Sequence, residues 1–254
     1  MDKNIILSNP VFRSSSYEGA MALRRESEIN NLREQNLLLD LDSKFGIVAR
    51  LKNIWNTYPA LSGFLPPLYQ KEMLNEVITF LSLNPSLNPN DKKSIELGNE
   101  SQLDCSYPYI YFKDSAKLHH FKKFCQIGNE LDERWTAMDL LYFRNSNQKE
   151  VKRVGDSEFV IEQMRLTFEI LSAMKPKVVV VSNATVDELI HKHSLVLNLK
   201  IEMPEQGNNY TYFINGLPFI IKESRYISNR RLWYSSEEKR TKLVGEIKRI
   251  IQKR

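Results

Sequence analysis

Three asparagines stand where apolar runs break off. Asn84 closes Val77–Leu83 and precedes Pro85, Asn145 follows Ala137–Phe143 by way of Arg144, and Asn183 follows Lys177–Ser182. A side-chain amide donates and accepts hydrogen bonds and does not titrate. Short apolar runs bounded by turn residues read as buried strands. Pro85, with no N–H and a fixed φ, stops the first of them. If the three strands run parallel in an open α/β sheet, all three amides reach its carboxyl edge, where such sheets take their ligands. Amides there can hydrogen-bond a nucleobase-like ligand and position a water without a charged base. Asparagine is also a common turn residue, so a purely structural role competes with this reading at each position.

A second group of candidates lies in Lys222–Tyr234. Lys222, Arg225, Arg230 and Arg231 alternate there with Tyr226, Trp233 and Tyr234. Cations that pair with phosphates beside rings that stack on bases suit a nucleic-acid surface. The competing reading is a solvated loop with its aromatics tucked inward. Other chemistries lack their signatures: there is no GxGxxG or Walker loop and no GxSxG elbow. His191-x-His193 has no carboxylate or cysteine companion at a metal-binding spacing and reads as a solvated helix end. The expectation is therefore no metal and no cofactor.

The chain has 254 residues, 42% hydrophobic and 26% charged, which is ordinary for a soluble globular protein. Its net charge of +5 is compatible with DNA as a partner but does not establish one. Cys105 and Cys125 are too few for a disulfide scaffold and form no metal-like pair, so a reducing interior is expected. No apolar run approaches the roughly 20 residues needed to span a bilayer. The start, MDKNIILSNPVF, has no signal-peptide layout, so no membrane association and a cytoplasmic location are expected.

The elements that must position these residues can be read from periodicity. Residues 14–57 read as one or two helices, with Ile29, Leu32, Asn36 and Leu39 on one stripe and Phe45, Val48, Leu51 and Trp55 on another. They would form an N-terminal helical cap or extension over 1–74, ahead of an α/β domain over 75–254. Asp156 or Ser157 caps a helix through Val160, Met164, Phe168 and Leu171, which Lys175-Pro176 stops. Leu195, Leu197, Leu199 and Ile201 alternate with polar residues and Val196, the pattern of a half-buried strand. Asn215-Gly216 marks a hairpin between Tyr210–Ile214 and Leu217–Ile221. Ser235 and Glu238 form a capping box for a last helix with Leu243, Val244, Ile247 and Ile250 inward. Strands alternating with helices predict a mostly parallel sheet with helices on both faces, and the late strands would add an antiparallel edge.

The order of these segments resembles the uracil-DNA glycosylase superfamily, in particular its divergent bacterial branches. Ser82-Leu83-Asn84-Pro85 takes the place of the family's Gly-x-Asn-Pro or Gly-Gln-Asp-Pro motif. Ala137–Asn145 resembles the middle strand that leads to the pocket, and Lys175-Pro176-Lys177 to Ala184 the Pro-led strand that follows. Glu223–Arg231 stands where the family has His-Pro-Ser-Pro. The resemblance covers roughly residues 75–252. It implies a three-layer α/β/α fold and a DNA-repair hydrolase that cleaves the N-glycosidic bond of a flipped, damaged base. In that picture Asn84 holds the water, Asn145 or Asn183 reads the base, Tyr107 or Phe112 stacks on it, and Leu87 or Ile227 wedges the duplex. Two departures stand out: Ser82 replaces the glycine, and no histidine lies near Ser224. Arg225, Arg230 or Arg231 would have to stabilise the departing base in its stead. The missing histidine supports an alternative, a catalytically inactive nucleotide- or nucleic-acid-binding protein on the same fold. A third reading is an interaction protein whose N-terminal helices are the partner surface.

Overall fold

The protein is described from a computed structural model. The described residues are 27, 29–58, 61, 67, 69–84, 122–145, 148–181, 183–203, 211–220 and 237–253. The chain divides into two compact units, residues 1–38 and 39–254. In the first, residues 29–34 are helical and Leu32 is buried. Asn36, at φ 55°, then turns the chain, a conformation asparagine tolerates better than most residues.

A short strand, Leu38–Asp40 (β1), straddles the division. Two helices follow, Leu41–Phe45 (α1) and Ile47–Thr57 (α2). Asp40 caps α1 by accepting from the amides of Asp42 and Ser43 at 3.0 and 2.9 Å. Gly46, at φ 59°, separates the two helices, so a glycine that weakens the helical pattern in the sequence is the joint between them. Leu41, Ile47, Leu51 and Ile54 are buried in the same core as the sheet's helices, so α1 and α2 belong to the second unit.

The remaining strands are Glu72–Leu74 (β2), Ile78–Ser82 (β3), Trp135–Asp139 (β4), Val178–Val181 (β5), Ile201–Glu202 (β6), Thr211–Ile214 (β7) and Leu217–Ile220 (β8). Six of them form a mixed sheet in the order β4-β3-β5-β8-β7-β6. The pairs β3–β4, β3–β5 and β5–β8 are parallel, and β7 pairs antiparallel with both β8 and β6. Strands buried on both faces need near-continuous apolar sequence, which Ile78–Leu81 and Val178–Val181 supply. Asn215 and Gly216, at φ 50° and 79°, make the β7–β8 hairpin turn that the Asn-Gly pair predicts.

The other helices are Lys122–Leu131 (α3), Gln148–Val154 (α4), Glu158–Met174 (α5), Ala184–His193 (α6) and Glu237–Gln252 (α7). They cover both faces. On one, Ile78, Phe80, Val178, Val180 and Ile220 pack with Phe124 and Ile127 of α3 and Leu243 and Ile247 of α7. Phe80 and Phe124 stack there with centroids 4.1 Å apart. On the other, Leu81, Val179 and Val181 pack with Met164, Ile170 and Leu171 of α5 and Ile190 of α6. This is an α/β fold with helices on both faces and an antiparallel edge.

Three local expectations change. Ala137–Phe143 is not one strand: β4 begins at Trp135 and ends at Asp139, and Leu140–Asn145 is a loop with the single bridge residue Arg144. Leu195–Leu199 is not a strand but a turn that continues α6. The Leu197 amide donates to His193 O and the Leu199 amide to Ser194 O, leaving Leu195 89% exposed. Apolar alternation over so few residues also fits a turn with Leu197 and Leu199 inward. His193 is not solvated: it is buried, and its Nε2 lies 2.7 Å from the Gly155 carbonyl, which requires a proton on that nitrogen. The Ser235 cap lies outside the described residues.

Candidate functional site

Strand order fixes where a ligand can enter. From β3 the chain crosses to β4 on one side. From β5, on β3's other side, it moves on toward β8. The connections leave β3 and β5 in opposite directions, and the crevice outside their carboxyl ends is the usual binding place in such sheets. Asn84 lies two residues beyond β3 and Asn183 two beyond β5. The loop after β4 ends at Asn145 on the same edge.

That loop is held by bonds from several elements. The Leu140 and Leu141 amides donate to the carbonyls of Ser82 and Leu83 at 2.8 and 2.9 Å, extending the β3–β4 pairing. Gln163 of α5 is fully buried, and its Oε1 accepts from the Tyr142 and Phe143 amides at 2.8 and 3.2 Å. Its Nε2 donates to Phe159 O on its own helix, which fixes the amide's orientation. The Thr167 hydroxyl lies 2.9 Å from Leu140 O and 3.2 Å from the Tyr142 hydroxyl. Asn84 completes the set: its Nδ2 donates to Phe143 O at 3.2 Å and to Asn145 O at 2.7 Å. A buried loop must satisfy its peptide groups without a ladder, and three side chains do so here.

The structure therefore brings Asn84 and Asn145 together, through the main chain of Asn145. Arg144 between the two accepting carbonyls is buried, 7% exposed, so a cation stands at this edge. Asn183 is on the same edge, but its Oδ1 accepts from the Thr185 amide at 2.8 Å and caps α6. The capping oxygen faces its own helix. Tyr107, Phe112, Leu87, Lys222, Arg225, Ile227, Arg230 and Arg231 lie outside the described residues.

A feature that sequence reasoning missed lies on the outer side of β4. A small pocket with room for about one water is lined by Leu41, Tyr69, Gln70, Met73, Met138, Asp139, Tyr142 and Ile170. Burial pushes the Asp139 carboxyl up to about 7 and raises the Tyr142 hydroxyl. Gln70 Nε2 donates to the Ala137 carbonyl at 2.7 Å, on the edge of β4 that has no partner in the six-stranded sheet. The available signal was the lone acid in the apolar run AMDLLYF. Its burial was not visible, because the segment that covers it lies far away in the chain.

Among the described residues no group of three or more His, Cys, Asp or Glu side chains could hold a metal ion. No helix among them is long and apolar enough to cross a membrane. Compared with known proteins, the chain matches no family model and no curated protein.

Proposed function

We propose that the protein is uracil-DNA glycosylase-like, a three-layer α/β/α protein that hydrolyses the N-glycosidic bond of a damaged base flipped out of DNA. The reading rests on one observation: Asn84 donates to the main chain of Asn145, so two of the three strand-end asparagines meet at the carboxyl edge. In this reading a nucleotide leaves the duplex and seats its base at that edge. The C1′–N bond breaks with its electron pair going to the base, a water adds to C1′ of the oxocarbenium-like sugar, and the proton that water sheds ends on the departing base anion. Asn84, anchored by its Nδ2, would use Oδ1 to orient that water. An amide is too weak a base to deprotonate it early, so attack follows most of the bond breaking.

A second reading has its own support. Asn183 Oδ1 caps α6 and Asn84 Nδ2 holds a loop, so both amides have structural work. That favours a nucleic-acid-binding protein that releases no base. An abasic-site gel assay on uracil-, hypoxanthine- and mismatch-containing DNA, single- and double-stranded, with protein in excess, separates the two. Base release with loss in Asn84→Ala supports the glycosylase. Salt-dependent binding without cleavage supports the second reading. Neither cleavage nor binding would sink both.

A further inference from the structure

We propose that the outer edge of β6 is a contact surface for a second copy of this chain, which pairs with it antiparallel about a two-fold axis at Ile201. Among the described residues β6 is the last strand of the sheet, at the opposite end of the strand order from β4 and β3. The proposal therefore does not depend on the glycosylase reading.

The backbone decides what that edge offers. The Asn215 amide donates to Lys200 O at 3.0 Å, and the Lys200 amide to Asn215 Oδ1 at 2.9 Å, so both main-chain polar groups of Lys200 face β7. Glu202, opposite Phe213, faces β7 in the same way, because an antiparallel ladder alternates. In a planar trans peptide the C=O and the following N–H point opposite ways. The Leu199 carbonyl, the amide and carbonyl of Ile201 and the Met203 amide are therefore turned away from β7. A two-fold axis at Ile201 matches these groups with their own copies. Each Ile201 amide donates to the Ile201 carbonyl of the other copy, and each Met203 amide to the other copy's Leu199 carbonyl. The Leu199 amide already donates to Ser194 O, so the pairing ends there.

The side chains are self-complementary about the same axis. Lys200 of each copy stands opposite Glu202 of the other, in the non-hydrogen-bonded position where side chains approach most closely. Opposite charges there favour pairing. A short edge strand with a lysine normally discourages a partner, but here each lysine meets a carboxylate. The two residues already form an ion pair within one copy, so the dimer brings four charges of alternating sign together. On the other face Ile201 meets its own copy and Met203 meets Leu199. Leu199 and Ile201 belong to the core of their own chain, whereas Met203 is 59% exposed. The exposed large hydrophobics among the described residues are Leu195, Val196 and Met203, all in the segment that runs into and out of β6. Apolar side chains gathered beside an open sheet edge mark an interaction surface. The stretch Leu199–Met203 is small beside the roughly 800 Å² per partner of a stable complex, so the dimer is a weak one.

The test is sedimentation velocity on the full chain at rising concentration, up to about 1 mM, the weak end of the affinity scale. Wild type should show a sedimentation coefficient that climbs toward that of a dimer. Lys200→Glu sets carboxylates against carboxylates across the axis, and Glu202→Lys sets ammonium against ammonium. Both side chains are exposed, at 78% and 48%, so each variant should fold. Two contacts per dimer change sign, which should weaken self-association about tenfold or more. An equimolar mixture of the two variants restores opposite charges at both contacts and should recover the dimer. The proposal is overturned if wild type stays monomeric throughout the series, which would leave the edge to a foreign strand. It is overturned equally if either variant self-associates like wild type, or if the mixture does not recover the dimer.

Discussion

Asn84 offers the sharpest test, because its two candidate roles respond oppositely to one substitution. Its Nδ2 donates to the carbonyls of Phe143 and Asn145 at 3.2 and 2.7 Å. Each bond contributes about 0.5–1.5 kcal/mol net, so Asn84→Ala should destabilise the protein by about 2 kcal/mol. For a unit of this size that lowers Tm by about 4–8 °C. Asn84→Asp is isosteric but sets carboxylate oxygens against two carbonyl oxygens with no proton between them. At neutral pH it should cost more than alanine, about 3 kcal/mol or above. The sign with pH is fixed by the same geometry. Only the protonated acid can donate, so the folded state raises the pKa of the introduced carboxyl above its unfolded value of about 4. Stability of this variant is therefore highest in acid and is lost as pH rises through the raised pKa. Urea unfolding of wild type and both variants at pH about 4 and about 7, at constant m, measures this. A residue whose role is only to orient water would tolerate the carboxylate, which accepts from water as well as an amide does. An Asn84→Asp protein as stable as wild type at neutral pH would refute the loop-anchoring argument.

Gln163→Leu should cost about 2–4 kcal/mol in urea unfolding, because it strands the Tyr142 and Phe143 amides in the core. Gly128→Ala tests packing on the opposite face. Alanine normally gains about 1 kcal/mol over glycine inside a helix, but here its Cβ would lie 2.4 Å from Cδ1 of the buried Trp135. Overpacking should win by about 1–3 kcal/mol, read as a lower Tm. The Asp139 carboxyl, raised from 3.8 to about 7 in the folded state, makes stability fall as pH rises across that interval. At about 1.4 kcal/mol per unit the ceiling is about 4 kcal/mol, and partial exposure reduces it. Asp139→Asn should flatten that pH dependence in thermal unfolding and be the more stable protein above pH about 7.

The regular elements were legible because their signals are local. Val178–Val181 reads as a buried strand, the stripe through Val160, Met164 and Leu171 as a helix, and Asn215-Gly216 as a hairpin turn, and each is found so. Where a local pattern had two solutions the sequence misled. Leu195–Leu199 alternates like a strand, but α6 had not yet ended its hydrogen-bonded run. Ala137–Phe143 is apolar almost throughout, yet β4 ends at Asp139: after two further amide bonds to Ser82 and Leu83 the chain turns to α5, where Gln163 takes the next two amides. His193 reads as a helix end in water because nothing in its sequence neighbourhood reveals Gly155, whose carbonyl it meets.

The candidate site divides along the same line. By itself the sequence determined that three asparagines follow three buried strands, since strand, turn and proline stop are set by backbone sterics within a few residues. It also placed an acid in an apolar run. Only the tertiary structure decided that β3 lies between β4 and β5, which puts those asparagines on one edge and makes Asn84 a donor to a loop distant in the chain. Only it decided that Gln163 and Thr167 of α5 and Gln70 before β2 satisfy or flank that loop and strand, and that Asp139 faces a pocket. A polar side chain does not specify its distant partner. That choice is made when packing removes water and each buried peptide group must find a bond.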